Sequence, residues 1–270
     1  MSWRLLDNEE SDIYRNLALE ESLARTNAGA VDKTNTVRFW KSEPSVVLGR
    51  FQCVHEEVNI EFCRNNDISI ARRFTGGGTV FHDEGNLNIS FCLDQSESFV
   101  SRTLRELYWN FIGTLAKGLR SIGIGASYDP NRSCIRINGR KITGTAGWLK
   151  QGVSFIHGTL LLSANLETLR RALSPPPNQT VYLRDGRSIR CKESKKDVVT
   201  TIAKEFESPP TEDKIKQAII DSIATFTGAE IVEDSFTEKE EAMANSLYHT
   251  RYKRTEWNLG TLTERKAKKQ

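Results

Sequence analysis

The chain has 270 residues, with 38 lysines and arginines against 35 aspartates and glutamates, for a net charge of +3. Basic residues are dispersed apart from the tail Arg265-Lys266-Ala267-Lys268-Lys269, which leaves no footprint for nucleic acid, and no apolar run approaches the roughly 20 residues that span a bilayer. Five cysteines without a CxxC pair and four scattered histidines point to neither a disulfide framework nor a structural metal, so one cytoplasmic domain over residues 1–270, large enough to bury a sizeable core, is the expectation.

In chain order, Ser11 is placed to cap a helix carrying Ile13, Leu17, Leu19 and Leu23, which stops near Asn27-Ala28-Gly29. Strands are predicted over 36–40 and 45–49, on either side of the turn Ser42-Glu43-Pro44. A helix over 58–66 leads into a strand over 68–74, and strands over 79–82 and 87–93 follow a glycine run, joined by Asp83-Glu84-Gly85-Asn86. Residues 99–122 read as the longest helix, with Leu104, Leu107, Phe111, Leu115 and Leu119 on a stripe facing the sheet. Asn138-Gly139 has the chemistry of a two-residue hairpin turn, so Lys141 should begin the returning strand. A further strand covers 153–162, and a helix over 165–173 is stopped by Ser174-Pro175-Pro176-Pro177. The polar stretch 174–210, with Arg184-Asp185-Gly186-Arg187 in it, reads as a mobile flap with little regular structure. Residues 211–270 read as closing helices, one over 212–226 and one running from a Thr237/Glu240 capping box to Tyr252. Strands and helices intermix without a βαβ repeat, which favours an α+β fold with a mixed or antiparallel sheet flanked by helices.

The most informative stretch is 72–90, RRFTGGGTVFHDEGNLNIS. Gly76, Gly77 and Gly78 lack Cβ atoms, so the backbone can reach positive φ and a ligand can lie on the amides. Arg72 and Arg73 stand just upstream, suited to a phosphate or carboxylate. No Gly-Lys-Ser/Thr follows, and the next apolar residues alternate, so the run is neither a phosphate loop of the Walker type nor a dinucleotide fingerprint. It reads as strand, glycine turn, strand.

This run resembles the signature of lipoate–protein ligases. Asn138-Gly139-Arg140-Lys141-Ile142-Thr143-Gly144-Thr145-Ala146 is similar to that family's lysine motif, and His157-Gly158-Thr159-Leu160-Leu161 to the strand after it. The closing segment Thr255-Glu256-Trp257-Asn258-Leu259-Gly260 resembles the end of the archaeal-type enzymes. The resemblance implies the biotin/lipoate-ligase catalytic fold and a ligase that turns lipoate and ATP into lipoyl-AMP, then transfers the lipoyl group to a carrier lysine. It implies Lys141 as the catalytic cation, although the neighbouring Arg140 could by residue type claim the same role. Arg72, Arg73, Gly76, Gly77, Gly78, Thr79, Val80 and Phe81 are the expected nucleotide or adenylate contacts. Thr143, Gly144, Thr145 and Ala146 should lie near the adenylate, His82 should border the acyl pocket, and His157 should stand beside the site. Mg²⁺ is implied by the use of ATP, without a dedicated carboxylate cage.

Two departures matter. The family's acidic residue seven positions before the lysine is Cys134 here, which opens a thioester route as an octanoyl or lipoyl transferase. Bacterial relatives carry a further C-terminal domain, so a separate small accessory subunit is expected beside the lipoyl-domain acceptor. A non-catalytic carrier-binding subunit is the reading from another class. The Gly-Arg-Gly-Arg loop of biotin ligases is absent.

Overall fold

The computed structural model of the protein describes residues 2–183 and 191–266. Its central sheet uses strands β1 (Ser2–Asp7), β2 (Thr36–Trp40), β6 (Asn86–Asp94), β10 (Thr143–Lys150), β11 (Val153–Leu161) and β13 (Glu230–Glu233), in the order β10-β11-β6-β2-β1-β13. The β10, β11, β6 and β2 neighbours pair antiparallel, whereas β1 runs parallel to both β2 and β13. A second sheet, β4-β3-β5, holds β3 (Ser45–Leu48) between parallel β4 (Ser69–Arg72) and antiparallel β5 (Val80–His82). A third is the antiparallel set β7 (Ala126–Asp129), β8 (Cys134–Ile137) and β9 (Arg140–Lys141). The mixed sheet agrees with the sequence.

Alternation along β6 sorts two environments, because successive side chains point to opposite faces. Leu87, Ile89, Phe91 and Leu93 join Phe111, Leu115, Leu119, Ile215 and Ile219 in the main core, beneath the helices at 104–121 and Glu212–Thr227. Each fully buried Phe or Ile there contributes roughly 1.5–3 kcal/mol. Asn88, Ser90 and Cys92 are also buried but face the other way, toward helix α1 (Ile13–Ala28). The sheet thus has one apolar face and one more polar face, where Trp40, Cys92 and Phe155 pack among the polar groups, and that face leads to the site.

The Thr237/Glu240 capping box forms as read. Four local expectations change. Helix α1 is capped by Asp12, not Ser11, because the Asp12 carboxylate reaches the amides of Tyr14 and Arg15. The helix expected over 58–66 is two pieces, Val54–Glu57 and Ile60–Asn65, separated by Val58 in an extended conformation. The long helix starts only at Leu104, where Thr103 caps it, and contains a π turn at Tyr108–Ile112. In the stretch read as an irregular flap, Thr180–Leu183 is a strand paired with Thr261–Lys266, and Ile202–Glu205 is a helical turn. Arg184-Asp185-Gly186-Arg187 and the tail beyond Lys266 lie outside the described residues. Finally, Cys53 and Cys191 form a disulfide across 138 positions, which corrects the expectation that the cysteines make no such bond.

Candidate active site

The glycine turn is shaped from beneath by Arg73. This side chain is 4% exposed and spends its donors on the loop: Nε on Thr75 Oγ1 and the Gly76 carbonyl, Nη2 on the Gly76 and Gly78 carbonyls at 2.7 Å each, and Nη1 on Val47 O. Burial pushes its pKa down to about 10, which still leaves it charged at neutral pH. Gly77 has φ of 89°, and a Cβ there would lie 2.8 Å from Arg73 Nη2 and 3.2 Å from Ala146 Cβ, so only glycine fits without strain. Arg72 points the other way along the strand. Its guanidinium donates to the carbonyls of Trp257, Gly49, Gln52 and Asn258, binding the loop after β3 to the closing segment. Expected beside Arg73 as an anion ligand, Arg72 is instead built into the scaffold.

On the polar face of the sheet a buried relay runs to the same loop. Glu20 Oε2 accepts from His157 Nδ1 at 2.7 Å, and His157 Nε2 lies 2.8 Å from Thr75 Oγ1, which accepts from Arg73 Nε. Glu20 Oε1 takes Trp40 Nε1 at 2.9 Å and a short bond from Ser90 Oγ. Burial alone would raise the Glu20 carboxyl, but His157, Arg38 and Ser90 outweigh it and hold the pKa at about 2. His82 sits nearby with Nε2 3.1 Å from Thr159 Oγ1. Burial, reinforced by the Arg73 charge, pushes its pKa down to about 3, so the ring is neutral. Among the described residues His82 Nδ1 and Asn88 Nδ2 are buried without a hydrogen-bond partner.

Lys141 arrives from the third sheet. Asn138 and Gly139, with φ of 50° and 74°, make the two-residue turn that returns the chain after Ile137. On the β9 strand that follows, Arg140 turns outward to Glu205 at 2.8 Å, while Lys141 lines the cleft. Among the described residues the Lys141 ammonium has no carboxylate within ion-pair distance. Burial pulls its pKa down, opposed by Cys134 and Asp197. Asp197 is held by Arg132 at 3.3 Å and Arg136 at 2.8 Å, and Arg136 also pairs with Asp129. Cys134 is buried, and burial raises its thiol pKa, with Lys141 opposing, so the thiol stays protonated at neutral pH.

A strap of residues 191–200 joins these parts. Lys192 N donates to Phe51 O, and Ser194 N to Glu57 Oε1. Ser194 Oγ accepts from Thr79 N at 2.8 Å and Gln52 Nε2 at 3.0 Å, and it would touch a Cβ on Gly78. Further on, Lys141 N donates to Val198 O and Thr200 N to Lys141 O. Between strap, glycine loop and Lys141 opens a cleft of about 1820 Å³, walled by Thr79, Val80, Phe81, Thr143 and Gly144 as well as by Glu193, Lys195 and Lys196. Behind Val80 and Gly144, a small cavity of about 30 Å³ meets Arg73, His82, Thr145, Ala146 and His157.

The structure therefore gathers most of the expected residues around two adjoining cavities, while Arg72, Gly76, Gly77 and Gly78 line neither. Thr143 and Thr145 use their hydroxyls on Ile135 N and Ser133 O, bracing β10 against β8. Sequence reasoning missed Glu20, Trp40, Thr75, Ser90 and Ser194. Only Glu20 carried a signal: it falls at helical spacing between Leu17 and Ala24 on a buried stripe, where a carboxylate needs partners.

The lipoate-protein ligase A subunit 1 of Thermoplasma acidophilum is 29% identical over 231 residues, covering 84% of this chain and 85% of its own. An octanoyltransferase LipM of Symbiobacterium thermophilum is 26% identical over 283 residues, 96% of this chain and 98% of its own. A crystal structure of lipoate-protein ligase A bound with ATP superposes with a TM-score of 0.80 at 27% identity, covering 96% of this chain and 99% of that one. An archaeal lipoylation system from T. acidophilum, a bi-partite lipoate protein ligase with its E2 lipoyl domain, gives 0.81 at 27% over 98% and 99%. Residues 12–224 match the lipoyl protein ligase A/B catalytic domain, and the chain belongs to that family.

Proposed function

We propose that the protein joins lipoate and ATP to form lipoyl-AMP, releasing pyrophosphate, and then transfers the lipoyl group to a lysine ε-amine of a lipoyl-domain carrier. The observation that carries this reading is the Lys141 ammonium, half-buried in the cleft beside the glycine loop and without a carboxylate partner among the described residues. Attack of a carboxylate oxygen on the α-phosphorus brings two anions together, and one fixed ammonium between them lowers that repulsion where charge builds up. Thr79 N–H, which Ser194 Oγ holds here and would have to release, and the loop set by Arg73 suit the phosphate side. The unpartnered His82 Nδ1 and Asn88 Nδ2 suit polar atoms of the bound acid, and the neutral His82 adds no repulsive charge. In the second step the carrier amine attacks the acyl carbonyl, the acyl–phosphate bond breaks, AMP leaves with the electron pair and the amine gives up a proton.

Of the carboxylates along the cleft, Asp197 is taken by two arginines and Glu57 by the Ser194 amide, while Glu56 and Glu193 stand on its wall. A magnesium ion accompanying ATP would be held by the phosphates, and no step is assigned to it. The bi-partite T. acidophilum ligase supports a separate accessory subunit and a lipoyl-domain acceptor here as well. Cysteine-dependent transfer has the LipM likeness in its favour, but burial raises the Cys134 thiol pKa against the opposing Lys141 charge, and among the described residues the thiol makes no hydrogen bond that would activate it. Mass spectrometry of a lipoyl-domain carrier incubated with this chain, ATP and lipoate, with and without an accessory subunit, tests the reading. ATP-dependent addition of a lipoyl group is expected. Modification without ATP, or none with either combination, would refute it.

A further inference from the structure

We propose that the Cys53–Cys191 pair is a reversible oxidation site that fastens the 191–200 strap over the glycine loop and thereby controls entry of the nucleotide to the cleft. The inference rests on the proposed use of that cleft for ATP. The bond lies at the strap's leading end. Cys53 stands just before the short helix Val54–Glu57, and the Cα atoms of Cys53 and Cys191 are 5.5 Å apart. Everything the strap does next follows from that anchorage: Lys192 meets Phe51, Ser194 meets Glu57 and Gln52, and the Ser194 hydroxyl occupies the Thr79 amide. That amide ends the glycine run, on the cleft wall where a phosphate oxygen would need it. Ser194 and an anion cannot both hold it. At the other end the strap is bonded to the backbone of Lys141 and, through Asp197, to Arg132 and Arg136. With the disulfide closed, both ends are fixed and Ser194 cannot swing off the loop. With it open, the contacts of Lys192 and Ser194 that hold the strap to the loop are hydrogen bonds, and the strap can yield to a ligand.

A chain expected in a reducing compartment seldom keeps a purely structural disulfide. Such bonds there are usually transient or redox-sensing. Closing the latch takes two electrons and two protons from the two thiols to a disulfide or diazene oxidant. Opening it returns both from a small dithiol, which ends as its own cyclic disulfide.

The test uses the full chain, oxidised with diamide or reduced with dithiothreitol, with the state of Cys53 and Cys191 read by alkylation and mass spectrometry. Hydrogen exchange over 192–200 reports the strap, and calorimetry with ATP alone reports the cleft. Reduction should speed exchange across the strap and tighten ATP binding by about tenfold, as expected if a closed state excludes ligand from most molecules. Cys191→Ser should behave as the reduced protein under either treatment. Equal ATP affinity in both states would overturn the latch while leaving the nucleotide reading in place. ATP binding to neither state, with exchange still redox-dependent, would remove the nucleotide reading and the control proposed here together. Alkylation of both cysteines after oxidation, or stoichiometric zinc held by Cys53, Cys191 and the neighbouring Glu56 carboxylate, would also overturn it.

Discussion

Glu20→Gln removes one charge from the centre of the molecule and leaves its shape almost unchanged. In the native state the carboxylate receives His157 Nδ1, Trp40 Nε1 and Ser90 Oγ, and its pKa is held at about 2 against an ordinary value of 4.5. A difference of 2.5 pKa units corresponds to about 3 kcal/mol of stability. The native pKa is the lower one, so this contribution is present above the unfolded-state value and is lost as pH falls toward the folded one. The variant should therefore be about 3 kcal/mol less stable in urea at pH 7, with an unchanged denaturant slope. By the same linkage the gap should narrow by about 1 kcal/mol at pH 3.5. For a chain of this size the thermal midpoint should fall by roughly 6–12 °C. The glutamine amide can satisfy Trp40 and Ser90 through its oxygen, but its NH₂ then faces His157 Nδ1. The imidazole must change tautomer, which reverses the hydrogen bond to Thr75 and disturbs the Arg73 loop. Weaker binding of lipoyl-AMP by the folded variant should accompany the stability loss. A gap under about 1 kcal/mol, or one that widens as pH falls, would refute the charge-relay account.

Lys141→Ala should reduce adenylation by about 10²- to 10³-fold, the usual size for one preorganised charge. Stability should change little, because the ammonium has no ion pair to lose among the described residues; near-normal turnover in a lipoyl-AMP assay would remove it from the site. Arg72→Met should cost several kcal/mol, since the carbonyls of Gly49, Gln52, Trp257 and Asn258 lose their donor. Arg73→Ala should also cost stability, since the carbonyls of Val47, Gly76 and Gly78 lose their donor, but it alone should weaken ATP affinity in the molecules that remain folded; calorimetry on the folded fraction of both proteins separates the two roles. Gly77→Val should abolish adenylate binding, given the φ of 89° and the 2.8 Å approach to Arg73; normal binding would reduce the glycine run to a plain turn. Cys134→Ser should retain activity and its ATP requirement, whereas an acyl adduct trapped on Cys134 would reinstate the thioester route.

Features set by neighbours in sequence were legible: the amphipathic α1, the hairpin turn at Asn138-Gly139, the Thr237 capping box and the alternation along β6. Each is a local preference that the tertiary structure reinforces. The rest depends on pairs far apart in the chain. Glu20 and His157 are 137 positions apart, and neither side chain alone distinguishes a relay from a satisfied core residue. Alternation shows that Arg72 and Arg73 face opposite ways, but which face lies under the glycine loop is decided by the packing of Trp257 and Asn258 against β4. The strap carries few apolar residues and no periodicity, so its placement by Ser194, Asp197 and Cys191 left no pattern to read.

The tight turn at Asn138-Gly139 also sets a parity. Two residues in the loop put Lys141 on the cleft side and Arg140 toward Glu205. One inserted residue would exchange them, because side chains alternate with a period of two. The cleft would then receive a guanidinium, broader than an ammonium and forked, in place of a point charge. Loop length at this position is thus under the same constraint as the lysine itself: a chain that keeps every residue around the cleft but gains one residue in this turn would carry the cation proposed for adenylation on the wrong side of the strand.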